Sequence, residues 1–540
     1  MKIPLRFLLL GALLFHAGCG APSGTDADGF AYFYLDVHRP FFVGTTEYST
    51  RRPLGREPQR FAAVKPADIF RVFIVGGSVA QLYDIGDARP SLREALTAAL
   101  PGKKIEVINC GMSAYDAARA GLVLNEILDY APDLVIVMSG ANESGRPLLS
   151  RTQARLCRMR PLRGACERWV ARAAGRRVDR LRDRAAFART LRAMVHKARA
   201  RSVPLLLTTL PVALRDMPPR GVLPLEAEPF FTAWTHWERG ELKAAAAGFR
   251  RYLDADGDVR TFEGDGLANY YLARSLDRLG DIEQARTFYL AAQNNHRPLP
   301  LLNDAVRQVA AEEGAPLADL EKAFADAAPQ GLPGRELFED DVHWDRAFDP
   351  LATVTIVEAL AREHKWEAAL PPAQSAAIRR SARAARITAA RSWHVFRVRM
   401  WEPLRDSRHL FSERVLALLE TVHLSIPEAV SDTGRMRSWL ERELSGNIWF
   451  AGDRAKLDRW WPAMLAHVGE VHRRGGRPER AAAFFDEALR LAPDLHKARL
   501  HKALALLGSG RTDAGRSELE RIPNWREDPV IMRWRKVYGL

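Results

Sequence analysis

Three side chains in this sequence have the types and spacing that nucleophilic catalysis needs. Ser78 follows a Gly-Gly turn at the end of an apolar run and precedes helix-forming sequence. Such a turn exposes a hydroxyl group near the positive end of a helix. His343 lies in a late polar segment, and Asp340 stands three residues before it. An aspartate on the same loop holds one imidazole nitrogen and leaves the other free to accept a proton from serine, so the three residues predict a catalytic triad.

Acyl transfer also needs hydrogen-bond donors for the oxyanion that forms on the carbonyl carbon. The backbone N–H of Gly111 and the side-chain amide of Asn142 follow two further apolar runs, and we predict that they form this oxyanion hole together with the N–H of the serine. Asp341 and Asp345 lie near enough to compete with Asp340 for the histidine, although neither has the three-residue offset.

Five apolar segments predict the strands that position these groups. Near-continuous apolar runs separated by helical stretches are typical of a parallel sheet covered on both faces. Polar residues at the carboxyl ends of such strands line the ligand crevice. Ser78, Gly111 and Asn142 each follow one of the first three runs. The predicted strands are residues 69–75, 104–108, 133–138, 203–210 and a short segment at 316–320.

Four separate blocks of sequence together resemble the SGNH (GDSL-type) hydrolase superfamily. The turn ending in Ser78 matches the first block, Gly111 the second and Asn142 the third, and the segment beginning at Asp340 matches the DxxH block. The resemblance extends over residues 61–366. It implies the serine nucleophile, the histidine base, the orienting aspartate and the oxyanion hole already described, with no cofactor and no metal.

The resemblance also implies a fold, a flavodoxin-like α/β sandwich of three layers around a parallel sheet. Segments 109–115 and 210–216 look like those of a bacterial subgroup that joins this domain to tetratricopeptide repeats. Two positions depart from the family pattern, because Gly77 and Glu143 stand where aspartate is commoner.

Helical repeats are predicted both inside and after the hydrolase-like region. Within residues 229–298, Gly240 and Gly280 each precede an Ala-rich amphipathic helix in the phase of tetratricopeptide repeats. A closer copy of the repeat surrounds Gly476. Because about three repeats are needed to bury a continuous face, we predict that residues 371–540 form one C-terminal all-α repeat domain.

The N-terminus predicts export. Residues 1–19 combine a basic start, a short apolar run and small residues before Cys19, which is typical of a signal peptide. The end of this segment resembles a bacterial lipobox, in which Cys19 becomes a lipidated N-terminus that anchors the protein to a membrane; plain secretion with cleavage nearby is the alternative. Residues 20–60 are interpreted as a linker and extension. The predicted location is the cell envelope.

The other cysteines fit an exported protein. Cys157 and Cys166 are close in sequence and are predicted to pair in an oxidising compartment, whereas Cys110 follows a strand and is predicted to be a buried thiol. The sequence has no Cys/His cluster at zinc spacing and no GxxxxGK[ST] motif, so it predicts neither a metal site nor a nucleotide site.

Composition and charge exclude some classes and leave others open. Hydrophobic residues form 47% of the 540 residues and charged residues 27%, which excludes a mostly disordered chain. The net charge of +14 favours anionic surroundings. The Arg-rich stretch 151–201 has few aromatic residues for stacking on bases, so we interpret it as a solvated helix face and do not expect a nucleic-acid partner.

These features favour an exported serine esterase that forms an acyl-serine intermediate. An acyl group on a glycan or a lipid is a candidate substrate, and its identity stays open. Two alternatives stay open as well: an O-acyltransferase that uses the same Ser-His-Asp site, and a scaffold whose repeats bind a protein partner.

Overall fold

The computed structural model describes most of the chain after the predicted signal peptide. The predicted lipidation site Cys19 lies outside the described residues. Within the described part, no helix combines the length and the apolar character needed to cross a bilayer. The described residues are 31–51, 58–143, 147–175, 184–257, 260–296, 298–364, 370–387, 410–425, 434, 436–438, 441 and 454–540.

A small antiparallel sheet precedes the hydrolase-like region. Its strands run in the order β1-β2-β3 and are β1 Phe42–Gly44, β2 Glu47–Thr50 and β3 Arg60–Ala62. The rings of Phe42 and Phe61 meet edge to face at 5.0 Å, and both contact Phe73 of the main sheet. The segment interpreted as a linker and extension therefore contributes to the core.

The main sheet has five parallel strands in the order β5-β4-β6-β7-β8, which confirms the predicted flavodoxin-like fold. Side chains of the interior strand β4 alternate between two cores. Val72 and Ile74 face one core, Phe73 and Val75 face the other, and all four are fully buried. The strands are β4 Ile69–Gly76, β5 Lys104–Gly111, β6 Leu134–Met138, β7 Leu205–Thr208 and β8 Leu317–Ala318.

Helices cover both faces of this sheet and complete three layers. Helices α3, α6 and α11 bury their apolar sides on one face, and α1, α2, α12 and α13 pack on the other. The helices are α1 Ser78–Leu82, α2 Leu92–Ala99, α3 Ala117–Ile127, α4 Arg151–Cys157, α5 Arg160–Gly175, α6 Arg184–Ala200, α7 Glu228–Glu238, α8 Leu242–Asp254, α9 Phe262–Arg278, α10 Ile282–His296, α11 Leu299–Glu313, α12 Leu320–Ala327, α13 Asp349–His364 and α14 Pro372–Arg383.

The helical insert between β7 and β8 consists of two antiparallel helix pairs, α7–α8 and α9–α10. Gly240 and Gly280 close the first helix of each pair with φ of 74° and 87°, a backbone conformation that glycine adopts without steric cost. Small residues let the helices approach closely, since a Cβ on Gly248 would lie 2.7 Å from that of Ala233.

The C-terminal region is helical and has its own core. Gly476 and Gly510 close two of its turns with φ of 69° and 80°. Ala481 and Ala488 are fully buried between helices, as the repeat pattern predicts. The described helices of this region are Glu413–Ser425, Arg454–Arg474, Pro478–Leu491, His496–Gly508, Thr512–Glu520 and Pro529–Val537.

The insert and the C-terminal helices pack against each other. Arg473 forms a salt bridge of 2.5 Å with Glu238, and the rings of Phe231 and Trp534 meet at 5.0 Å. The guanidinium group of Arg474 lies 4.9 Å above the ring of Trp234. These contacts join two helical segments that are separated in sequence by the end of the α/β region.

We predict that Ala488→Trp overpacks the C-terminal helices. A bulky ring at this fully buried position forces neighbouring side chains from their packed positions, which costs about 1–3 kcal/mol of unfolding free energy. Denaturant unfolding of the full chain measures the effect. Leu491→Trp, at an exposed position of the same helix, is the matched control. Equal stability of the two variants would contradict the close packing.

Candidate active site

Ser78, His343 and Asp340 form one continuous chain of hydrogen bonds. Ser78 is the first residue of α1, directly after β4. Its Oγ lies 2.8 Å from Nε2 of His343, and Nδ1 of the same imidazole lies 2.7 Å from Oδ2 of Asp340. The histidine and aspartate side chains are mostly buried, with 13% and 8% exposed. The structure therefore brings the three predicted triad residues together in the expected order.

The loop that carries the histidine is fixed by its own hydrogen bonds. Oδ1 of Asp340 accepts the backbone N–H groups of Val342 at 2.8 Å and His343 at 2.7 Å, which leaves Oδ2 for the imidazole. The N–H of Glu339 donates to the carbonyl of His343 across the loop. A short aspartate side chain readily bonds backbone groups two or three residues onward, so the DxxH spacing builds this turn.

The two competing aspartates have other partners. Asp341 forms a salt bridge of 2.5 Å with Arg414, and both side chains are at least nine-tenths buried. Asp345 accepts the backbone N–H of Ala347 at 2.8 Å and caps a short turn. Neither carboxylate hydrogen-bonds the imidazole of His343, so the offset of three residues selects Asp340.

A buried carboxylate links the histidine loop to the end of α1. Asp349 accepts a hydrogen bond from the indole Nε1 of Trp344 at 2.8 Å and another from the backbone N–H of Asp84 at 3.1 Å. Burial raises the pKa of Asp349 to about 7. This bridge ties the segment after the histidine to the segment after the serine helix.

The amide of Asn142 lies directly beside the serine turn. Its Nδ2 donates to the carbonyl of Tyr115 at 3.3 Å, and because an amide nitrogen carries two hydrogens a second one remains for a ligand. A Cβ on Gly77 would lie 2.5 Å from this nitrogen. Glycine before Ser78 is therefore what allows Asn142 to approach the turn.

Gly111 does not serve as the predicted oxyanion donor. Its N–H donates to Oδ1 of Asn109 at 2.9 Å within the buried end of β5. The need for glycine here is steric, because a Cβ would lie 2.1 Å from the backbone nitrogen of Gln81 in α1. The sequence prediction is corrected accordingly: Gly111 lets the serine helix pack closely on the sheet.

The side chain of Asn109, at the end of β5, fixes the position of α1. Its Nδ2 donates to the carbonyls of Ala80 at 2.7 Å and Tyr83 at 3.0 Å, at the C-terminal end of α1. Its backbone N–H and carbonyl both bond the side chain of Gln59. Sequence reasoning did not single out Asn109, although an asparagine inside an apolar strand is itself an unusual signal.

Ala114 is a candidate oxyanion donor that the sequence did not indicate. It has a φ of 61° and lies in a turn in which the N–H of Tyr115 donates to the carbonyl of Met112. A positive φ at this place is typical of a type II turn and normally favours glycine. Tyr115, next to it, contacts the amide of Asn142. Within the described part of the chain, the N–H of Ala114 has no hydrogen-bond acceptor.

Glu143 follows Asn142, and the pKa of its carboxyl group is raised. Its Oε1 accepts the backbone N–H of Ala117 at 2.8 Å, at the start of α3. Although part of its side chain is accessible, desolvation and then the charge of Asp116 raise the pKa of Glu143 to about 8. At neutral pH the carboxyl group is therefore mostly protonated, and it places little negative charge beside Asn142.

Cys157 and Cys166 are joined by a disulfide between the end of α4 and the first half of α5. These two helices follow β6, the strand that ends near Asn142. Cys110 is a free and fully buried thiol, and burial raises its pKa well above the ordinary value. The disulfide links α4 to α5 and so closes a helical hairpin.

Comparison with family models identifies repeats in both helical regions. Residues 267–297 and residues 473–531 each match a tetratricopeptide repeat model. The repeats predicted around Gly280 and Gly476 are therefore confirmed. No curated protein matches the chain.

Comparison with solved structures finds similarity over about half of the chain. An α/β hydrolase from a lake metagenome (Lake Arreo, Spain) is 15% identical, covering 55% of this chain and 96% of its own, with a TM-score of 0.29. A GDSL-like lipase from Bacteroides thetaiotaomicron is 9% identical, with coverages of 54% and 89% and a TM-score of 0.27. An acetylxylan esterase from Geobacillus stearothermophilus is 16% identical, with coverages of 56% and 96% and a TM-score of 0.28.

We predict that Arg414→Ala destabilises the protein by about 3–5 kcal/mol, because it removes the guanidinium group that pairs with the buried carboxylate of Asp341. The double variant Arg414→Met with Asp341→Asn removes both charges and should recover most of this loss. Denaturant unfolding of the full chain checks both. If the single and double variants were equally unstable, lost packing rather than the uncompensated charge would be the cause.

Proposed function

We propose that this protein is an exported serine hydrolase that cleaves an ester through an acyl-serine intermediate. The observation that carries the proposal is the unbroken chain from Asp340 through His343 to Ser78, with both separations below 3 Å. A serine hydroxyl is a weak nucleophile until an adjacent base accepts its proton. The hydrogen bonds of His343 to Ser78 and to Asp340 support this role for the imidazole.

The geometry supports a two-step mechanism. As Oγ of Ser78 attacks the ester carbonyl, Nε2 of His343 takes its proton, and Asp340 stabilises the resulting imidazolium through Nδ1. The same imidazolium then protonates the departing alcohol, and the acyl group stays on the serine. In the second step the imidazole takes a proton from water, the hydroxide attacks the acyl carbonyl, and the serine leaves with that proton.

The oxyanion of each step needs donors on one side of the carbonyl. The backbone N–H of Ser78 and the second hydrogen on Nδ2 of Asn142 are two of them. The N–H of Ala114 is the third in this proposal, in place of that of Gly111.

Export is part of the proposal. The signal-peptide pattern of residues 1–19 and the lipobox-like end at Cys19 support a cell-envelope lipoprotein held at a membrane. The disulfide between Cys157 and Cys166 fits the same interpretation, since such bonds persist in oxidising compartments.

The two alternatives predict different products or partners. An O-acyltransferase would use the same three side chains and pass the acyl group to a sugar hydroxyl instead of water. A scaffold would use the tetratricopeptide repeats to bind a protein and would not need the ordered triad. A glycan acceptor added to the esterase assay separates hydrolysis from transfer.

We predict that Ser78→Ala abolishes hydrolysis of short p-nitrophenyl esters and labelling by a fluorophosphonate probe. His343→Ala should be similarly severe, because the serine then lacks its base. Asn142→Ala should lower kcat by about 10²–10³, the usual effect of losing one oxyanion donor. Ser509→Ala, in the turn after the helix His496–Gly508, is the matched control and should keep full activity. Full activity of Ser78→Ala would exclude the serine mechanism, and faster transfer than hydrolysis would favour the acyltransferase.

We predict that ester hydrolysis declines above pH 8 because Glu143 ionises there and places a negative charge beside the oxyanion site. The raised pKa means that the neutral form dominates below this pH and is lost as the pH rises through it. Glu143→Gln keeps a neutral side chain at every pH, so its kcat/KM should stay level where that of the native protein falls severalfold. The pH profiles of both proteins test this, and identical profiles would rule out Glu143 as the origin.

A further inference from the structure

The hairpin formed by α4 and α5 has an unusual concentration of exposed apolar side chains. Five of the thirteen large hydrophobic residues that are exposed in the described part of the chain fall between positions 148 and 169. They are between 38% and 51% accessible. We call this surface the hairpin face; its apolar residues are Leu148, Leu156, Met159, Leu162 and Trp169.

The apolar side chains of α5 point away from the body of the protein. Leu162 and Trp169 are seven residues apart and therefore lie on one side of the helix. Cys166 and Val170, on the adjoining side, belong to the small core that attaches the hairpin. Because the disulfide and this core fix the inner side, the outward orientation of Leu162 and Trp169 is a property of the folded protein.

Arginines surround the apolar residues. Residues 147–175 contain seven arginines, one glutamate and no other charged residue, which gives this segment a net charge of +6. The single glutamate, Glu167, pairs with Arg163. The arginines with exposed side chains are Arg151, Arg155, Arg158, Arg160, Arg168 and Arg172.

The start of the described chain packs against the same hairpin. Leu35 joins the hairpin core, and Arg158 donates to its carbonyl oxygen at 2.7 Å. The predicted lipidation site Cys19 precedes Ala31 by only twelve residues. Twelve residues span at most about 40 Å when fully extended, so a lipid on Cys19 would hold this hairpin near the bilayer.

We propose that the hairpin face is a docking surface for an anionic lipid bilayer. Leucine, methionine and tryptophan enter the boundary between headgroups and acyl chains, and the surrounding arginines bind lipid phosphates. The net charge of +6 favours an anionic surface. Because Leu35 packs against the hairpin and the proposed lipid is attached at Cys19, that surface is the membrane that carries the anchor. The first helix of the hairpin begins nine residues after Asn142, so docking brings the carboxyl edge of the sheet toward the bilayer.

The proposal is independent of the esterase activity and is tested by vesicle binding. The chain from Gly20 onward, without lipid and with its disulfide formed, is sedimented with vesicles of phosphatidylglycerol and phosphatidylcholine in equal parts, or of phosphatidylcholine alone. We expect at least about tenfold tighter binding to the anionic vesicles. The double variant Leu162→Ser with Trp169→Ser should weaken this binding by about tenfold or more.

A second variant and a matched control complete the test. Arg168→Gln with Arg172→Gln should weaken binding to anionic vesicles by about fivefold per arginine and leave binding to neutral vesicles unchanged. Leu491→Ser with Met532→Ser removes exposed apolar side chains elsewhere and should have no effect. Circular dichroism and melting verify that each variant is folded. Equal binding of the hairpin variants and the control would overturn the proposal, as would a change of oligomeric state in the hairpin variants without any vesicle binding.

Discussion

The hydrogen bond between Ser78 and His343 joins side chains that are 265 residues apart. Much of the described structure serves to fix the positions of these two side chains. At the serine end, β4 and α1 meet at a turn where two glycines allow close contacts. Asn142 approaches Gly77, and α1 approaches Gly111. Asn109 fixes the far end of the same short helix. A five-residue helix has little stability of its own, so these contacts define where the hydroxyl points.

The histidine end is held by three different kinds of contact. Asp340 fixes the turn from within by accepting two backbone N–H groups and the imidazole. Asp349 connects the turn to the serine helix through Trp344. Arg414 reaches the adjacent Asp341 from the C-terminal region. The neighbouring Glu413 bonds both Tyr271 of the insert and Arg474 of the C-terminal helices, so both helical regions meet close to the loop that carries His343.

The sequence predicted the parts of this arrangement that depend on local pattern. Apolar runs located the strands, and the DxxH offset selected Asp340 over Asp341 because a three-residue spacing closes a turn through the backbone. Prediction from the sequence failed where the same residue type can serve either of two purposes. A glycine at the end of a strand is compatible with a donor facing a ligand and with a close helix contact, and only the position of Gln81 shows that Gly111 has the second role. Ala114 carried no signal at all, because alanine seldom adopts a positive φ.

The pair formed by Asp341 and Arg414 has a consequence for how this chain can vary. The two residues are 73 positions apart and belong to different regions, yet each buried charge is stabilised by the other. A fragment that ends before residue 410 keeps the three triad residues and loses the counter-charge beside them. Recombination that exchanges the helical region of one relative for that of another would therefore succeed only when the incoming segment supplies a cation at the same place. We therefore expect the helical region and the hydrolase-like region to be inherited together.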